Sequence, residues 1–109
     1  MGILRRRQLP APAPDDSSSM SIGTTLIGRL TVRVPVTIVG QVLGIRIRPS
    51  DELPSLVVRL GDDSGSVTIV WTGRRSIGGV TLGRRLRVEG TPVRSAEGVC
   101  IYNPMYQLL

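Results

Sequence analysis

A chain of 109 residues with 40% hydrophobic content supports one soluble globular domain and is too short to bury two separate cores. Its single cysteine and its lack of histidine exclude an intrachain disulfide, a zinc site built from cysteine and histidine, and histidine-dependent catalytic triads. The 14 basic residues, all of them arginine, outnumber the 8 acidic residues and give a net charge of +6, so polyanions are the first partners to consider. Because the chain lacks histidine and has only one cysteine, we expect no enzymatic activity, no metal and no cofactor.

The first 22 residues differ in composition from the rest of the chain. Arginines occupy positions 5–7, proline alternates with alanine over 10–14, and two aspartates precede three serines over 15–19. Such a segment has little to bury, so we expect residues 1–22 to form a mobile tail. The tail carries 3 arginines and 2 aspartates, which leaves 11 arginines and 6 carboxylates, or +5, on a folded domain over residues 23–109.

From Thr24 onward the composition changes: short runs of valine, isoleucine, threonine and leucine are interrupted by glycine and proline. This pattern is typical of β-strands and lacks the 3.6-residue period of a helix. It predicts five strands, over residues 36–47, 56–60, 67–71, 84–91 and 99–103. Gly40 and Gly44 fall within the first strand, where glycine indicates a bulge or bend. A bent first strand can serve two sides of a small barrel.

Alternation along the strands assigns side chains to faces. In the second strand, Val57 and Arg59 share the face that we expect to point away from the core. In the fourth strand, Leu86 and Val88 are expected to point inward.

The turn between the second and third strands contains two adjacent carboxylates, Asp62 and Asp63. Paired carboxylates can serve metal binding or acid–base chemistry, but no base, nucleophile or further ligand lies beside them in the sequence. Aspartate also bonds nearby backbone N–H groups in tight turns, and we expect that structural role here.

The order of these elements predicts an all-β domain. The order matches a five-stranded OB-fold barrel, closed or partly open: a long bent strand, a tight hairpin, a glycine-rich connector and two more strands. An SH3-like barrel and an open meander are the alternative architectures.

Four segments carry a resemblance to known proteins: residues 63–71, 73–77, 83–90 and 101–106. In this order, the segments resemble a family of small actinobacterial OB-fold nucleic-acid-binding proteins. More distantly, they are similar to the wedge OB domain of RecG-type branch-migration helicases. The resemblance covers about residues 25–109, although Gly78 and Leu82 stand where family members typically have proline. It implies a nucleic-acid-binding OB domain, and since the chain has no helicase motor it does not imply strand separation.

OB barrels that bind single strands combine cationic side chains with aromatic platforms on the face of strands two and three and on the adjoining loops. Arginine suits this role because its planar fork fits phosphate. Each arginine alone is explained equally well as a solvated surface residue, and an arginine-rich coding bias is an alternative origin of the charge. Their clustering near one predicted face supports a binding role for Arg46, Arg48, Arg59, Arg74, Arg75 and Arg94.

Trp71 and Tyr102 are candidates for stacking on bases. Trp71 shares its face with Val67 and Ile69, which favours a position in the core over a stacking role. Tyr102 lies on the opposite face from Ile101 and is expected to be exposed. We include both residues in the predicted nucleic-acid-binding set.

The predicted function is a non-catalytic module that binds single-stranded nucleic acid, DNA rather than RNA, with little sequence preference. The alternative is a protein–protein adaptor in a DNA repair or replication assembly, because Asp51 and Glu52 in the first loop would repel phosphate and aromatic residues are few. We expect a cytoplasmic or nucleoid-associated protein that is not bound to membranes, because the chain contains no run of 18 apolar residues.

Overall fold

The computed structural model describes residues 23–109, which form a single sheet of seven β-strands after a 3₁₀ turn at Ile27–Arg29. The predicted tail, residues 1–22, lies outside the described residues. No helix in the described part of the chain is long and apolar enough to cross a membrane. The strands are β1 (Val36–Arg48), β2 (Ser55–Asp62), β3 (Gly65–Thr72), β4 (Arg85–Gly90), β5 (Val93–Ser95), β6 (Gly98–Tyr102) and β7 (Met105–Leu108).

Strand β1 serves two sides of the fold, as its length and its glycines predict. Residues 36–41 pair with β4, residues 41–48 pair with β2, and the register shifts between Val42 and Gly44. At Gly40 a Cβ atom would lie 2.9 Å from the carbonyl oxygen of Gly61. Only glycine permits this close approach between β1 and β2.

The prediction of five strands is wrong in number. The predicted fifth strand corresponds to β6, but β5 precedes it in a hairpin and β7 follows it along the edge of β4. Asn103 adopts a left-handed conformation with φ 51°, and Pro104 has no N–H to donate, so the chain turns sharply between β6 and β7. Strands of three and four residues are too short to show a clear alternation in the sequence.

The barrel is open. The strand order is β5-β6-β3-β2-β1-β4-β7, and in residues 23–109 no ladder joins the two ends of this sheet. The segment over 98–108 is divided at Asn103 and Pro104: β6 pairs with β3 in parallel, whereas β7 pairs with β4 antiparallel. No single continuous strand therefore pairs with both β3 and β4 in this part of the chain.

The core lies inside the curved sheet. Leu86 and Val88 are fully buried, which confirms their predicted inward positions. The connector between β3 and β4 contributes Ile77 and Val80 to the same hydrophobic cluster. The completely buried apolar side chains at the centre are Ile38, Val58, Leu60, Ile69, Leu86, Val88 and Ile101.

Trp71 belongs to this core, as its alternation with Val67 and Ile69 predicts. The side chain is 5% exposed, its Nε1–H donates to the carbonyl oxygen of Pro104 at 3.4 Å, and its ring meets Tyr106 edge to face at 5.5 Å. Trp71 is therefore a core residue whose indole N–H has a hydrogen-bond partner.

The Asp62 carboxylate organises the turn between β2 and β3. It accepts hydrogen bonds from the backbone N–H groups of Ser64 at 2.8 Å and Gly65 at 3.2 Å, and from that of Ile27 at 2.9 Å. Partial burial by itself raises the pKa of Asp62, but these bonds outweigh that effect and hold the pKa below its ordinary value of 3.8. The structural role predicted for this turn is confirmed, and the carboxylate also fixes the 3₁₀ turn at Ile27.

Replacing Asp62 by alanine is expected to lower the free energy of unfolding by about 1–2 kcal/mol at pH 7, because three backbone donors lose a charged acceptor. The folded-state pKa is depressed, so the stabilisation is complete above the unfolded pKa and is lost as the pH falls through the folded pKa. Urea denaturation from pH 7 to pH 3 would measure both effects. Asp63→Ala removes the same charge from the neighbouring residue and should leave stability nearly unchanged; an equal loss in both variants would contradict the assignment.

Candidate functional site

Two rows of side chains cross the sheet on the side opposite the core, which we call the outer face. Residues paired across neighbouring strands project to the same side of a sheet, so the register identifies the members of each row. The first row contains Arg46, Val57, Val70 and Tyr102, and the second contains Gly44, Arg59, Thr68 and Cys100. At about 4.8 Å between strands, the first row extends about 14 Å from β1 to β6.

An open groove of about 530 Å³ lies on the outer face. Val57, Thr68, Arg46 and Arg59 line it, and Gly44 leaves space because it has no side chain. Val57 shares the face of Arg59 as predicted, but it is only 4% exposed. The groove therefore combines a small apolar surface with two cationic side chains.

Glu97 is the residue of this site that sequence reasoning missed. It lies in the turn between β5 and β6 and lines the groove from the side opposite β1. Its Oε1 accepts hydrogen bonds from Arg48 Nη2 at 2.6 Å and from Arg46 Nη2 at 3.4 Å. The pattern Ser-Ala-Glu-Gly is typical of a turn, but the two hydrogen bonds span 49 and 51 residues, and no local signal indicates them.

The predicted arginines of β1 and β2 lie on one face of the sheet, and two others lie in the turn after β3. Arg46, Arg48 and Arg59 project from the outer face, where Arg48 pairs in register with Ser55 and Arg59 with Thr68. Arg74 and Arg75 are exposed in the turn after β3. That turn is held against the first loop by a hydrogen bond of 2.7 Å from Gly73 N–H to the carbonyl of Pro54, at the end of the sheet where Arg48 lies.

Arg94 does not join this group. The sequence predicts a loop at this position, but Arg94 lies in β5, paired with Val99. Because side chains alternate along a strand, Arg94 projects to the opposite face from Val93 and Ser95 and does not line the groove. The remaining arginines of residues 23–109 lie elsewhere on the fold: Arg29, Arg33, Arg84, Arg85 and Arg87.

Of the two predicted aromatics, only Tyr102 presents its ring at the outer face. It is 44% exposed and follows Val70 in the first row. Trp71 projects to the core side of β3 and is buried, so its inclusion among the binding residues is not supported by its position.

The chemistry available in the groove is that of anion binding. Arg46 and Arg59 supply guanidinium donors from two strands, Thr68 adds a hydroxyl, and Glu97 is the acidic lining residue, which already accepts from Arg46. Within residues 23–109, no three aspartate, glutamate or cysteine side chains lie close enough together to hold a metal ion.

The fold is similar to that of a solved structure, the p204 HINb domain, which has an OB fold. The TM-score is 0.64 at 16% sequence identity, and the match covers 93% of this chain and 55% of the other. This chain thus spans about half the length of the HINb chain. No protein-family model matches the sequence, and no curated protein matches it significantly. The OB-type fold is therefore confirmed, while the resemblance to actinobacterial proteins and to the RecG wedge stays a prediction.

Proposed function

We propose that the outer face of β1, β2 and β3 binds single-stranded nucleic acid, DNA rather than RNA, without catalysing a reaction. The observation that carries the proposal is the groove bordered by Arg46 and Arg59, with Tyr102 on the same face. Guanidinium forks along a strand and an exposed aromatic ring are the two elements by which OB folds bind unpaired strands. The resemblance to small OB-fold nucleic-acid-binding proteins points to the same class of ligand.

Little sequence preference follows from the same chemistry. Hydrogen bonds between guanidinium groups and phosphate position a strand but carry no base information. Stacking on Tyr102 would be similarly tolerant, because every base presents a π face. An unpaired strand fits better than a duplex, since only an unstacked base can cover the ring.

Salt dependence tests the proposal. A labelled oligothymidylate and a duplex of equal length are titrated with the protein at about 50 mM and about 200 mM salt. If Arg46, Arg48 and Arg59 each contact one phosphate, log K should fall with log salt at a slope of about −2, since each contact to a single strand contributes about −0.7. We expect tighter binding to the single strand. Equal affinity at both salt concentrations would overturn the mechanism.

Tyr102→Ala is expected to weaken oligonucleotide binding by about 1–3 kcal/mol, the usual contribution of one stacked base. Tyr102→Phe retains the ring and is the matched control, for which we expect nearly normal affinity. Fluorescence anisotropy at constant salt compares the variants. Equal reductions in affinity for both would assign the effect to the hydroxyl group rather than to stacking.

A protein–protein adaptor is the second candidate function, and one observation favours it. In residues 23–109, β4 pairs with β1 only as far as Gln41, so no strand covers the outer edge of residues 43–48. Leu43, Ile45 and Ile47 are exposed along this stretch at 51%, 39% and 46%. Such an edge can accept an added strand from a partner. Recovery of one specific protein after nuclease treatment, together with no oligonucleotide binding, would favour this function over the first.

A further inference from the structure

We propose that Arg46, which lines the groove, and Arg48 beside it form a phosphate subsite, and that Glu97 occupies this subsite as a tethered anion in the free protein. The inference rests on the proposed function, because it specifies where a phosphate binds and what it must displace.

The geometry of the ion pair defines the subsite. Arg46 and Arg48 are two residues apart on β1, so both side chains project from the outer face. Their Nη2 atoms converge on one carboxylate oxygen, Glu97 Oε1, at 3.4 Å and 2.6 Å. Carboxylate and phosphate oxygens accept charge-assisted hydrogen bonds from the same guanidinium donors. The position of Oε1 is therefore one that a phosphate oxygen can take.

Glu97 is held near this position by its own turn. Its backbone N–H donates to Ser95 Oγ at 3.1 Å, and that hydroxyl donates to the carbonyl of Gly98 at 3.0 Å. These bonds hold the backbone of Glu97 beside the arginines. Its carboxylate is therefore tethered within reach of them and competes at a high effective concentration. A free phosphate group must compete with it on every encounter.

The ion pairs are nevertheless weak enough to exchange. The side chains of Arg46, Arg48 and Glu97 are 55%, 36% and 47% exposed, and half-exposed pairs of this kind contribute little stability. The hairpin that carries Glu97 includes β5, which is the end strand of the sheet and pairs only with β6 within residues 23–109. A nucleic-acid strand that binds the arginines can thus displace Glu97 without disrupting the core.

Neutralising Glu97 should therefore tighten binding. We expect Glu97→Gln to raise affinity for a single-stranded oligothymidylate by about two- to fivefold at low salt, the range that corresponds to the loss of an exposed ion pair. Glu97→Arg should raise it further, because a competing anion becomes an additional phosphate-binding group. Glu89→Gln is the matched control: it makes the same change in net charge at an exposed residue of β4 that does not line the groove.

A double-mutant cycle locates the effect at the subsite. In a background with Arg46 and Arg48 both replaced by alanine, Glu97→Gln should raise affinity no more than Glu89→Gln does, since its competitor role requires the arginines. Equal affinities of Glu97→Gln and Glu89→Gln would overturn the inference, as would a full gain in the double-alanine background. If the unmodified protein and all of these variants fail to bind the oligonucleotide, it is the proposed function that fails.

Discussion

Simultaneous replacement of Arg46 and Arg59 by alanine is expected to weaken binding of a single-stranded oligonucleotide about a hundredfold at low salt. Both guanidinium groups border the groove, and removing each charge-assisted hydrogen bond to phosphate costs about 1.5 kcal/mol at an exposed site. The slope of log K against log salt should become shallower by about 1.4, since two phosphate-binding groups for a single strand are removed. Titration at four or more salt concentrations measures the slope and the affinity together.

A variant with Arg29 and Arg85 replaced by alanine is the matched control. It makes the same change in net charge, and both arginines are exposed and lie outside the groove lining. Its affinity should fall somewhat through the weaker overall field, but the decrease should be far smaller than in the Arg46 and Arg59 variant. Equal decreases in the two variants would show that the charge of the whole domain, and not the groove, determines binding.

Trp71→Ala is expected to lower the free energy of unfolding by about 3–5 kcal/mol, the usual effect of truncating a large buried aromatic. The substitution removes a side chain that is 5% exposed, its hydrogen bond to the carbonyl of Pro104, and its packing against Tyr106. Pro104 lies between β6 and β7, so the cavity would form where the chain spans the two ends of the open sheet. Urea denaturation followed by circular dichroism measures the change in stability.

Trp71→Phe keeps an aromatic ring in the core and should be less destabilising than Trp71→Ala, while its affinity for an oligonucleotide should be unchanged. In the unmodified protein, Trp71 fluorescence should change little when an oligonucleotide binds, because the ring lies on the core side of β3. Strong quenching, or an absence of binding in a folded Trp71→Phe variant, would instead assign a stacking role to this residue.

The strands that are long enough to alternate could be predicted from residue pattern alone. The five predicted strands each match an observed strand with boundaries within two residues. The bulge at Gly44 and the turn at Asp62 were also predictable, because glycine and aspartate have strong local conformational preferences. Strands β5 and β7 were not, since each owes its existence to a partner strand rather than to its own three or four residues.

Some features of the candidate site could likewise be predicted from the sequence, and others could not. Alternation correctly assigned Arg59 and Tyr102 to the outer face and Trp71 to the core, because the direction of a side chain in a strand depends on local backbone geometry. The position of Arg94 on the opposite face of β5, and the ion pairs of Glu97 with Arg46 and Arg48, depend on how a distant hairpin meets β1.

The amino-acid pattern by itself thus determined the five longer strands and the outward or inward direction of side chains along them, because these properties depend on neighbours along the chain. Only the tertiary structure decided that the barrel stays open, that Trp71 packs against Tyr106, and that a carboxylate meets the arginine pair. These features join residues that lie up to 51 positions apart, and interactions over such separations are established only when the whole sheet has curved around its core.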